Sequence, residues 1–261
     1  MKKLMLLTLV LGAGLALAEP LRHNLRKITQ GEAQTALSAL CESNINLATR
    51  SCLAKKSFYT QVERNPKSLL ELGDSGNTGA FSRSGAKEIV LGARFLDETG
   101  SEERFVGAIS LLLSGNKVLR RMRYGNTDPS FCYLFSRGDG RDGLLCLSQA
   151  FGQGYLESTL EWRDIGAGAK AIELMRVTDN SAACGNPAKT FRFGDFEALD
   201  LNKDKKKDLV VNLSYASAAN PDCTVTDLSK APGKNYRLGF LWDGKTFKPD
   251  TATAAVLKGW K

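Results

Sequence analysis

From Ala80 onward, short apolar runs alternate with turns rich in Gly, Asn, Asp and Pro. This texture predicts β-structure. Ser114-Gly115-Asn116 separates Ala108–Leu113 from Val118–Arg123, and Trp242-Asp243-Gly244-Lys245 separates Tyr236–Leu241 from Thr246–Lys248. Both patterns read as hairpins, the second strongly so, because Asp and Gly tolerate positive φ. Before Ala80 the pattern differs. Thr29 and Glu32 have the spacing of a capping box, and Ala33, Ala36, Leu37, Leu40 and Cys41 follow at helical spacing. A helix from Gln30 to Glu42 is predicted. A second short helix is expected over Leu47–Lys56, a break at Asn65-Pro66, and a loop over Gly73–Gly79. Residues 19–30 read as an exposed arm.

Three times an acidic residue leads directly into an apolar strand: Glu88-Ile-Val-Leu91, Asp142-Gly-Leu-Leu145 and Asp208-Leu-Val-Val211. The interval of roughly sixty residues suits a repeated multi-strand unit. After a variable loop, each acid-led strand is followed by a strand, a turn and another strand. In the second copy these are Leu156–Trp162 and Lys170–Val177, joined through Gly166-Ala167-Gly168. The fold expected is mainly β, built of antiparallel hairpin repeats behind a short helical segment, with a β-sandwich as the alternative.

The first eighteen residues carry a separate signal. Lys2 and Lys3 precede an apolar run from Leu4 to Ala18, which ends Ala16-Leu17-Ala18. A basic start, a short apolar core and a small-x-small exit predict a secretory signal peptide cleaved after Ala18. The run is too short for a confident membrane span, and no later stretch is long enough to cross. The division expected is 1–18 signal peptide, 19–72 arm and helical segment, and 73–261 β-rich repeat domain. A secreted or periplasmic mature chain follows.

That compartment changes the reading of the cysteines. Cys41, Cys52, Cys132, Cys146, Cys184 and Cys223 form an even set in an exported chain, which implies three disulfides. Sequence leaves the pairing open. Nearest-neighbour pairing is attractive because each bridge then closes a loop within one local unit. No CxxC occurs and His23 is the only histidine, which argues against zinc and against histidine-based catalysis. The net charge of +8 favours anionic partners, such as acidic glycans. Nucleic acid is not expected.

One loop carries possible chemistry. Asp200, Asn202, Asp204 and Asp208 occupy positions one, three, five and nine of a D-x-N-x-D-x-x-x-D pattern, with the Lys206 carbonyl at position seven. Alternate oxygens at this spacing can converge on a hard cation. Position twelve is Val211, so the EF-hand glutamate is absent, and the loop runs into an apolar strand. The arrangement resembles the calcium loop of FG-GAP/VCBS repeats, the blades of integrin-α-like β-propellers. Phe193-Gly194-Asp195-Phe196 upstream and the Tyr236–Phe247 hairpin downstream also resemble parts of such a unit. The resemblance implies a small or incomplete propeller, one weak structural Ca2+, and recognition of a ligand or protein through loops. It departs at position six, where the family's glycine is Lys205, and Lys203, Lys205, Lys206 and Lys207 oppose a dication.

Other constellations are less specific. Glu157 and Glu161 share a strand face near Tyr155 and Trp162, with Asp164 close by. They are the candidates for a carboxylate-dependent hydrolase acting on glycans. Arg137-Gly138-Asp139 spells an adhesion tripeptide within a Gly/Asp turn. Arg120, Arg121 and Arg123 with Tyr124 suit a charged edge strand. The chain therefore reads as an exported, non-enzymatic binding or structural module of the periplasm or cell surface. Its alternative is a secreted hydrolase. A protein or acidic glycan is the partner expected.

Overall fold

The structure is a computed structural model. It describes residues 18–55, 69–96, 109–123, 132–168, 170–224, 228 and 231–260. The core of the expected signal peptide, the expected Asn65-Pro66 break and Tyr124 lie outside these residues. Among the described residues the fold is mainly β, with three antiparallel sheets and two α-helices.

Three four-stranded meanders account for most of it. The first comprises β5 (Leu69–Gly79), β6 (Glu88–Leu96), β7 (Ile109–Ser114) and β8 (Lys117–Arg123). The second comprises β9 (Cys132–Ser136), β10 (Asp142–Gly152), β11 (Tyr155–Arg163) and β12 (Ala171–Asp179). The third comprises β13 (Ala188–Leu199), β14 (Asp208–Ala218), β15 (Gly233–Trp242) and β16 (Phe247–Pro249). In each, successive strands pair as neighbours. Glu88, Asp142 and Asp208 each open the second strand, so the repeated sequence signature marks one topological position.

The acids recur for a physical reason. A carboxylate at the start of a buried strand can accept the backbone amides of the connection that precedes it. Glu88 Oε2 accepts from the amides of Phe81 and Ser82, at 2.9 and 2.8 Å. Asp142 Oδ2 accepts from the Ala80 amide at 2.8 Å, linking the second meander to the first. Asp208, fully buried, accepts from Leu201 at 2.9 Å and from Trp242 at 2.8 Å.

The meanders stack face to face. Helix α1 (Gln30–Leu40) lays Ala33, Ala36, Leu37 and Leu40 on Leu70, Leu72, Leu91 and Leu111 of the first sheet. The capping box forms as expected, with Thr29 and Glu32 satisfying each other's free amides. The opposite face of the first sheet contributes Phe81, Val90, Leu112 and Met122 to a core shared with Cys132, Leu144, Cys146 and Ile165. The second sheet turns its other face, with Phe135, Leu145 and Trp162, to Phe196, Val211 and Phe240 of the third. Trp162 lies directly over Gly143, where an added Cβ would meet the indole at 2.0 Å.

Several local expectations are corrected. The helix expected over Leu47–Lys56 is, up to Lys55, a turn followed by a strand. Asn46 Oδ1 accepts the amides of Ala48 and Thr49, Arg50 turns left-handed at φ 52°, and β4 (Ser51–Ala54) follows. β4 pairs with both β3 (Cys41–Asn46) and β5, extending the first sheet. The loop expected over Gly73–Gly79 is strand, with an irregularity between Leu72 and Gly76. Its polar residues hide a strand that has partners on both sides. α1 stops at Leu40 because Cys41 is already extended.

The arm is also more than a free end. Its side chains are largely exposed, but β1 (Glu19–Pro20) pairs with β13, Arg22 bridges to Leu134 of β9, and β2 (Leu25–Lys27) pairs with β5. One extended segment thus laces the first strand of all three meanders. His23 joins it, with Nδ1 hydrogen-bonded to the Cys132 carbonyl and its ring against Tyr133. The disulfides are Cys41–Cys52, Cys132–Cys146 and Cys184–Cys223, the nearest-neighbour set. Neither helix is long and apolar enough to cross a membrane.

Candidate functional site

The Asp200–Asp208 loop keeps its oxygens on its own backbone. Asp200 accepts the amides of Asp204 and Lys205, at 3.0 and 2.9 Å. Asn202 accepts from Asp204, and Asp204 from Lys206. The Lys206 amide, first among several causes, holds the Asp204 carboxyl below its usual range. Lys203 and Lys205 both turn left-handed, at φ 62° and 68°, and Lys205 stands where the resembling family has glycine. Asp208 is withdrawn, with one oxygen on the Leu201 amide at the start of the loop and the other on the buried Trp242 amide of β15. Asp200, Asn202, Asp204 and the Lys206 carbonyl therefore share one turn, while Asp208 fixes that turn to the sheet. Among the described residues, no three His, Cys, Asp or Glu side chains converge as a metal site.

The hydrolase candidates are not gathered either. Glu157 pairs with Arg176 at 2.9 Å, Glu161 with Arg163 at 2.5 Å, and Asp164 with Arg137 at 2.5 Å. Three acids with three separate arginines form no shared acid/base pair. Arg137 of the Arg-Gly-Asp tripeptide is itself buried, held by Asp164 and Asp139 and lying over the Trp242 ring at 5.4 Å. It is not displayed for adhesion. Arg120 sits on the edge strand β8, as its charge suggests, and donates to the Ile165 carbonyl.

A cleft of about 840 Å³ lies between the second and third meanders, larger than a pocket of about 470 Å³ between the arm and the Leu47–Arg50 turn. Its origin is in the packing. At one end the two sheets are closed by an aromatic cluster. Trp162 meets Trp242 and Phe247 edge-on at 5.3 and 5.2 Å, and Phe135 meets Phe247 at 4.9 Å. At the other end, β12 presents Leu174, Met175 and Val177, and β13 presents Phe191. The remaining wall is helix α2 (Thr251–Trp260), through Leu257 and Trp260. The Trp260 ring stands on Phe191, Tyr215 and Tyr236, at 5.3, 6.2 and 5.0 Å.

Local contacts hold these walls in place. Asp250 caps α2 by accepting the Thr253 amide at 2.7 Å, and Thr253 Oγ1 accepts from the Gly239 amide at 2.7 Å. A Cβ at position 239 would lie 2.5 Å from an Asp250 oxygen, so glycine lets the helix start lie on β15. At the mouth, Asn180 accepts the Lys189 amide and donates to the Pro187 carbonyl, fixing the β12–β13 connection. The Cys184–Cys223 bridge ties that connection to the segment between β14 and β15. Arg176 at the rim stays charged beside Glu173 and Glu157.

Tyr155, at the start of β11, also lines the cleft and is the one lining residue named among the sequence candidates. A usable signal was present: Asp250 in N-cap position, then Val256, Leu257 and Trp260 at helical spacing. Comparisons of the chain with protein families, with curated proteins and with solved structures returned no match.

Proposed function

We propose that the mature chain is an exported, non-enzymatic binding module of the periplasm or cell surface, with the cleft between the second and third meanders as its recognition site. The observation that carries this reading is an open, partly apolar cleft whose walls are pinned by a helix cap, a disulfide and an Asn-held turn. Preorganised concave sites with a few polar groups are the usual form of small-ligand sites. Three disulfides fit an oxidising compartment. β1 begins at Glu19, directly after the expected cleavage point, and N-terminal sequencing of the exported protein is expected to begin there. The neutral fluorophore N-phenyl-1-naphthylamine tests the cleft. One molecule per chain is expected to bind, with loss of binding in Trp260→Ala. No binding to the folded, oxidised protein would overturn the reading. So would turnover of a glycan that is lost in Glu157→Gln or Glu161→Gln.

A weak structural Ca2+ at Asp200, Asn202, Asp204 and the Lys206 carbonyl belongs to the same reading, through the FG-GAP/VCBS resemblance. The left-handed Lys205 supports the turn such a loop needs. Thermal unfolding in EDTA and in millimolar calcium tests it. A rise in midpoint that disappears in Asp204→Ala is expected, and an unchanged midpoint removes calcium from the account.

A further inference from the structure

The rim of the cleft is electrically uneven. Arg176 is paired with both Glu157 and Glu173, so that corner of the rim, where Glu173 also lines the cleft, carries no free cation. Lys189 and Lys258 also line the cleft, and among the described residues neither has a carboxylate within ion-pair distance. They lie on different walls, one on β13 and one on α2. The same cleft is lined by Leu174, Val177, Phe191, Leu257 and Trp260, half-buried or buried. Two unpaired ammonium groups above an apolar and aromatic floor suit a ligand of the opposite polarity pattern. The floor removes hydrocarbon from water, and the rim attracts an anion. The volume lies within the small-molecule range of roughly 300–1,000 Å³.

We propose that the cleft takes a single-chain amphiphilic carboxylate, with its hydrocarbon chain along Phe191, Leu257 and Trp260 and its head between Lys189 and Lys258. This rests on the binding-module reading and names its ligand class. The net charge of +8, which is about +6 once Lys2 and Lys3 leave with residues 1–18, acts in the same direction, raising the local concentration of anions.

Calorimetric titration of the oxidised mature protein with decanoate, decan-1-ol and acetate tests the proposal. Decanoate is expected to bind one per chain, decan-1-ol several-fold more weakly, and acetate not measurably. The double variant Lys189→Gln/Lys258→Gln is expected to weaken decanoate roughly tenfold, a few-fold per exposed charge, and to leave decan-1-ol unchanged. Lys245→Gln, on the β15–β16 turn, controls for overall charge and should change neither. Trp260→Ala should weaken both long-chain ligands. Equal binding of decanoate and decan-1-ol, insensitive to the lysine variant, would overturn the anionic head while leaving an apolar binding cleft. Binding of many decanoates per chain, insensitive to Trp260→Ala, would overturn the site as specific. If neither long-chain compound nor the neutral fluorophore binds, the inference and the cleft reading fail together.

Discussion

Helices α1 and α2 are nearly equal in length, eleven and ten residues, and each starts from an oxygen cap. They do different work. α1 buries Glu32, Ala33, Ala36, Leu37, Ala39 and Leu40, and its apolar face is a layer of the first core. α2 buries only Thr253, while Val256, Leu257 and Trp260 remain half-buried against the third sheet. Both meet a sheet, but α1 covers a face and α2 fills the open end between two faces. A helix in the first position is held by the full hydrophobic area beneath it. A helix in the second leaves apolar surface available to a ligand. The contrast separates a structural element from a site-forming one, although both look amphipathic.

The largest test of this contrast is Leu37→Ala. Leu37 is fully buried, and the substitution is expected to lower unfolding free energy in urea by about 3 kcal/mol, from lost transfer and the cavity left behind. Trp260→Ala, at a half-buried ring, is expected to lower it by only about 1.5 kcal/mol while abolishing fluorophore binding. Equal losses would erase the distinction.

Truncation after Asp250 removes α2 outright. The shortened chain is expected to keep its three disulfides and its far-ultraviolet β-signature, with a lower thermal midpoint and no cleft binding. A chain that unfolds on this truncation would make α2 part of the core.

The caps sharpen the comparison further. Asp250→Ala is expected to destabilise by about 1 kcal/mol, measured by urea titration, and to weaken ligand binding because α2 loosens. Thr29→Ala should cost a similar amount, about 1 kcal/mol, without touching the cleft.

A further test lies in acid. The Arg26 guanidinium, helped by the Thr29 amide, holds Glu32 at about 2, from an ordinary value of 4.5. The unfolded chain therefore takes up a proton on this group before the folded protein does. The associated stability is present above the ordinary value and is lost as pH falls toward about 2. Glu32→Gln should be less stable near neutrality and should show a shallower decline in midpoint across that acid window. An unchanged slope would mean that the Arg26–Glu32 pair does not anchor the start of α1.

What could be read in advance was local. The three acid-led strands announced themselves because β-alternation and turn residues operate over a few positions, and Glu88 and Asp208 answer amides in the connection just before their strands, although Asp142 reaches back to Ala80 of the first meander. Thr29 and Glu32 are three residues apart and form their capping box within one turn, with Arg26 of the adjoining arm as the further partner of Glu32. The cysteine pairs are nearest neighbours in sequence, two of them across adjacent strands and the third, Cys184–Cys223, between two connections of the same region. The strands hidden in Cys41–Ala54 and Gly73–Gly79 were harder to see. Their residues carry weak β-signals, and their strand character depends on partners supplied by other segments. The Asp200–Asp208 loop was legible as a turn with alternating oxygens, but not the withdrawal of Asp208 onto Leu201 and Trp242.

The sequence by itself determined the mainly β character, the recurrence of one hairpin unit, the first helix and its cap, and a cysteine set suited to three bridges. Each depends on side chains and backbone groups a short distance apart along the chain. Only the tertiary structure decided that the N-terminal arm laces all three meanders, that α1 covers a face while α2 fills a gap, and that Phe191, Trp260, Lys189 and Lys258 surround one space. Those residues come from strands and a helix far apart in sequence. The cleft between them follows from how two sheets close at their aromatic end and stand open at the other, which no local pattern encodes.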